Sequence, residues 1–363
     1  MSSLFSNMQM RHFVPVLLFI IFLVINVGKT QPLEITDISS DMTGVTLQWT
    51  STAERYIVAQ SSNIMAGNFE FVGAVLLTNT VSLASTKPSV FYKIREVEVL
   101  NFSDPAFRNA ISNALPTKFE PADLYYDVDL LGIDDLNLEG LGISNAVGLN
   151  AFADLTLLDC SSNALSSLDV SGMGALQELY CYDNQITNLN LTDCTNLYAL
   201  ICMFNPLHML DMSGMECLRT LFCYGNGLTN LNLSGCTNVA ELICSDNSLG
   251  TLDVSGLSRL SVLACNDNDM TSLNLSGCYA LTNLFCQRNQ LSSLDISTCT
   301  NLTLVQCITN NLVDVSSFVT NALHGGLGTG DVVYLIGNPL SLDAITNQIP
   351  VLENYGVTVN LHY

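Results

Sequence analysis

Cysteine recurs every twenty-one residues, at positions 160, 181, 202, 223, 244, 265, 286 and 307. The same frame surrounds each one: Leu158-x-Cys160-x-x-Asn163-x-Leu165, then Leu179-x-Cys181-x-x-Asn184-x-Ile186, and so on to Val305-x-Cys307-x-x-Asn310-x-Leu312. A fixed period of this length marks a chain of stacked units, none of which buries its apolar side chains alone. Within one unit Leu176, Leu179, Cys181, Ile186, Leu189 and Leu191 hold the apolar positions. Stacking at the ~4.8 Å spacing of neighbouring strands hides them against their copies. Alternation along the strand sends Leu179 and Cys181 inward, with Glu178, Tyr180 and Tyr182 outward.

The phased pattern L-x-x-L-x-C-x-x-N-x-L-x-x-L-D/N-L/V-S resembles the bacterial-type leucine-rich repeat in its cysteine-containing form, over roughly residues 130 to 363. That resemblance implies an α+β/β solenoid, right-handed, in which each coil adds one short parallel strand to a concave sheet. It also implies binding of proteins or glycans without catalysis.

The thiols read as core groups, because cysteine is small, apolar and often fully buried. Neighbouring ladder cysteines lie within disulfide range, yet parallel side chains on in-register strands aim poorly for an S–S dihedral, so free buried thiols are expected over a ladder of bridges. Cys194, Cys236, Cys278 and Cys299 fill a second repeated position that Met173, Met215 and Leu257 occupy in the alternate coils. A further alternation runs Asp169, Asn190, Asp211, Asn232, Asp253, Asn274, Asp295. Stacked carboxylates repel, and an interposed Asn doubles their separation and offers amide donors. Growth by pairs of coils follows. The column from Asn163 to Asn310 is expected to satisfy backbone groups at the bend after each strand.

Upstream, Arg11 and His12 precede an apolar run from Phe13 to Val27, closed by Gly28, so residues 1–31 read as an export signal. The run is short for a membrane span. Residues 32–99 carry alternating segments such as "GVTLQWTS" and "VFYKIREVEVL", and the placement of Trp49, Tyr56 and Tyr92 resembles a small fibronectin-III-like module, an antiparallel β sandwich. Residues 100–154 are assigned to an N-terminal cap with an irregular repeat, in which Ser103 or Asp104 caps a helix entered through Pro105. The repeats proper take 155–315, and 316–363 form a closing cap.

A formal net charge of −22 argues against nucleic acid or an anionic membrane surface as partner. After signal removal no membrane insertion is expected, and the protein is placed outside the cell or on its surface. The sequence holds no HExxH, GxSxG or P-loop, and "GGLGTG" at 325–330 lacks the lysine and helix of a phosphate cradle. Asn266-Asp267-Asn268-Asp269 resembles a calcium-loop fragment, but two of its residues belong to repeat positions and a solvated turn is the better reading. No catalytic residues, metal site or cofactor are assigned.

The candidate binding surface is the outward side of the strands. Stacking places Tyr180, Tyr182, Ile201, Met203, Phe222, Tyr224 and Ile243 together on four consecutive coils, with Glu178 and Glu241 at the flank for a basic rim. Such residues also satisfy plain β-propensity. Their persistence on a water-facing side favours a contact surface for a protein or peptide, with Tyr180, Phe222 and Tyr224 as anchors. A glycan is an alternative ligand, and a structural or adhesive spacer an alternative role.

Overall fold

The computed structural model describes residues 102–114 and 132–362, together with a few backbone strands elsewhere. Those strands pair as Glu34–Ser40, Val45–Thr50 and Thr80–Leu83 in one antiparallel sheet, and as Phe22–Val24, Phe91–Glu96, Tyr56–Ser61 and Glu70–Phe71 in a mixed sheet whose first pair is parallel. Their side chains, and the rest of the expected export signal and sandwich module, lie outside the described residues. The repeat region forms its own compact unit together with residues 102–114.

Eleven short strands make the main sheet of that unit: β1 Asp135–Asn137, β2 Leu157–Asp159, β3 Glu178–Tyr180, β4 Ala199–Ile201, β5 Thr220–Phe222, β6 Glu241–Ile243, β7 Val262–Ala264, β8 Asn283–Phe285, β9 Leu304–Gln306, β10 Val332–Tyr334 and β11 Thr358–Asn360. They lie side by side in chain order, and the pairings from β1 to β11 are parallel. Register never slips: Leu158, Leu179, Leu200, Leu221, Leu242, Leu263 and Leu284 face one another in turn. Each of these leucines is fully buried, a burial that contributes roughly 1.5–3 kcal/mol per side chain. Parallel pairing requires a crossover between strands, and here the rest of the coil supplies it.

All thirteen thiols are free, and twelve are buried; Cys217, outside both cysteine columns, is exposed. Burial pushes the Cys202 thiol up to about 12, and those of Cys244 and Cys286 likewise. Beside them runs the asparagine ladder. Asn205 donates from Nδ2 to the carbonyls of Cys181 (3.0 Å) and Cys202 (3.1 Å), and its Oδ1 accepts the Ile186 amide at 2.9 Å. One side chain therefore ties its own bend to the coil before it, and the pattern repeats in Asn184, Asn247, Asn268, Asn289 and Asn310. Where the repeat degenerates, Asn338 takes the same part, donating to the Cys307 carbonyl at 2.9 Å.

The alternation of Asp with Asn has a structural counterpart. A second ladder, on another side of the coils, breaks into pairs: Ser167–Asp169 with Asn188–Asn190, Met209–Asp211 with Asn230–Asn232, and Thr251–Asp253 with Ser272–Asn274. A cysteine thiol bond accompanies each of the three pairings, and a longer one, from Cys299 to the Leu275 carbonyl at 3.8 Å, joins two coils without such a strand pair. Cys194, Cys236 and Cys278 donate their thiols to the carbonyls of Val170 (3.1 Å), Met212 (2.9 Å) and Val254 (3.2 Å) in the preceding coil. Met173, Met215 and Leu257 have no such donor in the other phase. Between the first two pairs a groove of about 700 Å³ opens, flanked by Thr187–Thr195 and Leu207–Met215.

Helix α1, Pro105–Ala114, covers the start of the stack. Asp104 caps it, accepting the amides of Ala106 (2.8 Å) and Phe107 (3.0 Å) at Oδ1. Its other oxygen accepts the Ser144 amide (2.8 Å), the Ser144 hydroxyl (2.7 Å) and the Asn145 amide (3.1 Å) of the first coil. Burial works to raise its pKa, but these bonds outweigh it and hold the carboxyl near 2. At the far end α2, Ser316–Leu323, inserts the buried Asn321, whose amide bonds the carbonyls of Ile296 (2.8 Å) and Cys299 (2.9 Å). A π turn over Ala344–Gln348 and α3, Ile349–Asn354, complete that end. Among the described residues no helix is long and apolar enough to cross a membrane.

Candidate functional site

Register assembles the row that the repeat implied. Tyr180 stands opposite Ile201, Ile201 opposite Phe222, and Phe222 opposite Ile243. Beyond the strand ends, backbone bonds carry the neighbouring row: Asp183 donates to the Met203 carbonyl (3.0 Å) and Phe204 to that of Tyr224 (3.0 Å), which sets Tyr182, Met203 and Tyr224 on successive coils.

The surface is tighter than the sequence suggested. Tyr180, Tyr182, Met203, Phe222, Tyr224 and Ile243 are half-buried, because adjacent coils press these large side chains against one another. Ile201 differs from the expectation more strongly: at 8% exposure it is wedged between Tyr180 and Phe222 and forms floor rather than contact surface. Glu178 also departs from its expected part. Its carboxylate accepts the hydroxyl of Tyr180 at 2.5 Å and that of Tyr198, one coil on, so it is already partnered instead of waiting for a basic rim. These two bonds lower the Glu178 pKa, and the same pairing raises the Tyr180 phenol to about 12. Tyr182 reaches two coils back to Glu139 at 3.3 Å. Glu241 alone of the two flanking acids is exposed.

Tyr180, Tyr182 and Tyr198 therefore have their hydroxyls engaged by glutamates, and what they offer outward is ring surface. The chemistry available is apolar and aromatic contact inside an acidic field: between residues 132 and 362 there are 21 Asp and Glu against three Arg and no Lys. Among the described residues no cluster of three or more His, Cys, Asp or Glu is placed to hold a metal ion. Of the calcium-like stretch, Asp267 is bound by Arg288 of the next coil, with Nη2 to Oδ2 at 2.8 Å, and Asn268 belongs to the asparagine ladder.

Two aromatic residues escaped the strand-based reading. Tyr198 precedes its strand by one position and enters through Glu178. Phe204 lies in the turn after the strand, 52% exposed, with its ring edge-to-face on Tyr224 at 4.8 Å between centroids. Its sequence signal was present: the same position in other coils holds Ser162, Asp183, Gly225, Asp246, Asp267, Arg288 and Thr309, and an aromatic there is out of character. All eight of these residues have positive φ, between 53° and 67°.

No family profile matches the sequence, and no curated protein matches it. Solved structures do. The functional domain of InlJ from Listeria monocytogenes, described as including a cysteine ladder, is 27% identical with a TM-score of 0.52, covering 73% of this chain and 61% of that one. This region is a leucine-rich-repeat solenoid. The internalins InlF and InlC2 of the same organism also match, at 19% and 23% identity, TM-scores of 0.42 and 0.38, 72% and 71% of this chain, and 91% and 94% of theirs. The leucine-rich-repeat solenoid thus shares with InlJ the cysteine ladder that set its period, and it spans about 61% of the InlJ chain it matches.

Proposed function

We propose that this is an exported recognition protein, secreted or held at the cell surface, whose outward sheet face binds a protein or peptide without catalysis. The observation that carries the proposal is the row Tyr180, Phe222, Ile243 beside Tyr182, Met203, Tyr224: six large apolar or aromatic side chains set by register on consecutive coils, left half-exposed in a surface otherwise rich in carboxylates. Contiguous apolar surface of this kind in a water-soluble region marks an interaction site. Aromatics make efficient anchors because they bury much area with few rotatable bonds. The bacterial-type repeat pattern, and the fold shared with the functional domain of InlJ, support the reading by supplying a continuous sheet on which such a row is displayed.

The test is affinity capture from candidate target surfaces with the full chain, compared with a Met203→Ala/Phe222→Ala variant. A partner retained by the wild type and lost by the variant, with the unfolding midpoint of the variant still cooperative, supports the reading. Equal retention by both would remove the sheet face from consideration and turn attention to a spacer role. A ligand found on a glycan array and lost in Tyr180→Ala would instead establish sugar stacking on the ring faces.

A further inference from the structure

Beside the sheet face, the turn after β4 carries a recess of about 450 Å³ between Phe204 and His208, floored by Gly225, Asn226 and Gly227 of the next coil. Two glycines at left-handed positions of that coil shape the recess: the Phe204 ring packs over Gly225, and Gly227 leaves the floor beside His208 uncovered. A Cβ at Gly225 would stand 2.8 Å from the Phe204 ring, and one at Gly227 3.5 Å from His208. Phe204 itself holds φ near 56°, a conformation unfavourable for an aromatic residue, and still turns its ring to solvent. In the same row Asp183 lies one coil before Phe204 and Asp246 two coils after it. Both are exposed, and neither carboxylate has a hydrogen-bond or ionic partner among the described residues.

The row shows within this chain what such a carboxylate takes. Asp267, the next aspartate along, is bound by the guanidinium of Arg288, with Nε directed to one oxygen and Nη2 to the other. Asp183 and Asp246 have no equivalent arginine: one coil on, the same position holds Phe204 after the first and Asp267 after the second. An aromatic face flanked by two free carboxylates suits a planar cation, which stacks on the ring and forks toward the acids. Lysine, a compact and strongly hydrated point charge, gains less from the ring.

We propose that this recess binds an arginine side chain of a partner protein, its stem over Gly227 and its guanidinium on the open face of the Phe204 ring between Asp183 and Asp246. The site lies outside the sheet face and adds a specificity element to it; Tyr224, which props the Phe204 ring, belongs to both.

Titration of the full chain with nona-arginine and with nona-lysine, at about 150 mM salt to suppress the general attraction of an acidic surface, tests the proposal. The wild type is expected to prefer nona-arginine by roughly two- to fivefold, the range of an exposed cation–π contact. Phe204→Asn, whose new residue suits the left-handed backbone and keeps the fold, should abolish the preference while leaving nona-lysine affinity unchanged. Asp183→Asn/Asp246→Asn should weaken nona-arginine binding. Met203→Ala/Phe222→Ala should keep the preference, which separates this site from the sheet face. Equal binding of the two peptides by the wild type, a preference surviving in Phe204→Asn, or unchanged nona-arginine affinity after loss of both carboxylates would each overturn the assignment, as would a preference lost only with Met203 and Phe222.

Discussion

Asn232 donates from Nδ2 to Oδ1 of Asp211 across 2.9 Å, joining two coils that are also paired through their backbones in the second ladder. The amide stands where a strict repeat would place a second carboxylate. Replacing it, Asn232→Asp, sets like charges opposite each other and is expected to destabilise by about 0.5 kcal/mol, an effect that shrinks as salt is raised. Urea unfolding at low and high ionic strength measures it; a loss independent of salt would mean that packing, not charge, ordered the alternation.

The asparagine ladder is more deeply buried and more is at stake there. Asn205 is 3% exposed and serves three carbonyls and one amide. Asn205→Ala leaves those backbone groups without partners in a dry bend, and a loss of roughly 2–4 kcal/mol is expected. Equilibrium unfolding reads it directly.

Thiol reactivity should divide sharply. In native protein a chromogenic disulfide reagent should titrate Cys217 alone, and the remaining twelve only after unfolding. The buried thiols also predict alkaline instability. Their folded pKa values stand above the ordinary 9.0, with Cys202, Cys244 and Cys286 at about 12. Below pH 9 neither state ionises and the contribution to stability is intact. Between about 9 and 12 only the unfolded chain releases these protons, so stability falls by about 1.4 kcal/mol per pH unit for each such thiol. A flat stability profile from pH 8 to 11 would contradict the burial of the ladder.

At the acid end Asp104 is the group to watch. Its carboxyl is held near 2 against 3.8 in the free state, so the contribution is present above pH 3.8 and lost as pH falls toward 2. Asp104→Ala removes the helix cap and the link to Ser144 and Asn145, and a cost of about 2 kcal/mol is expected. Hydrogen exchange should show α1 loosening first.

Spectroscopic titration offers a check on the sheet face. Tyr180 should ionise only near pH 12, and Glu178→Gln should bring it back toward 10. An unchanged phenol in that variant would show that Glu178 does not hold the tyrosine.

The period alone determined most of this architecture. A residue type repeated at one spacing can be buried in every copy only if the copies stack in register, so the inward leucines and thiols, the asparagine bend and the composition of the outward rows were all readable from the chain. The alternations Asp169 with Asn190 and Met173 with Cys194 even announced the pairing of coils. Tertiary structure decided what a side chain finds when it arrives. Ile201 is covered because Tyr180 and Phe222 close over it, Glu178 is occupied because Tyr198 reaches in from the following coil, and Phe204 gains a recess because the neighbouring coil offers two glycines. Those outcomes depend on the sizes and directions of groups twenty-one residues apart, which a linear pattern places beside one another without saying which of them will fill the space between.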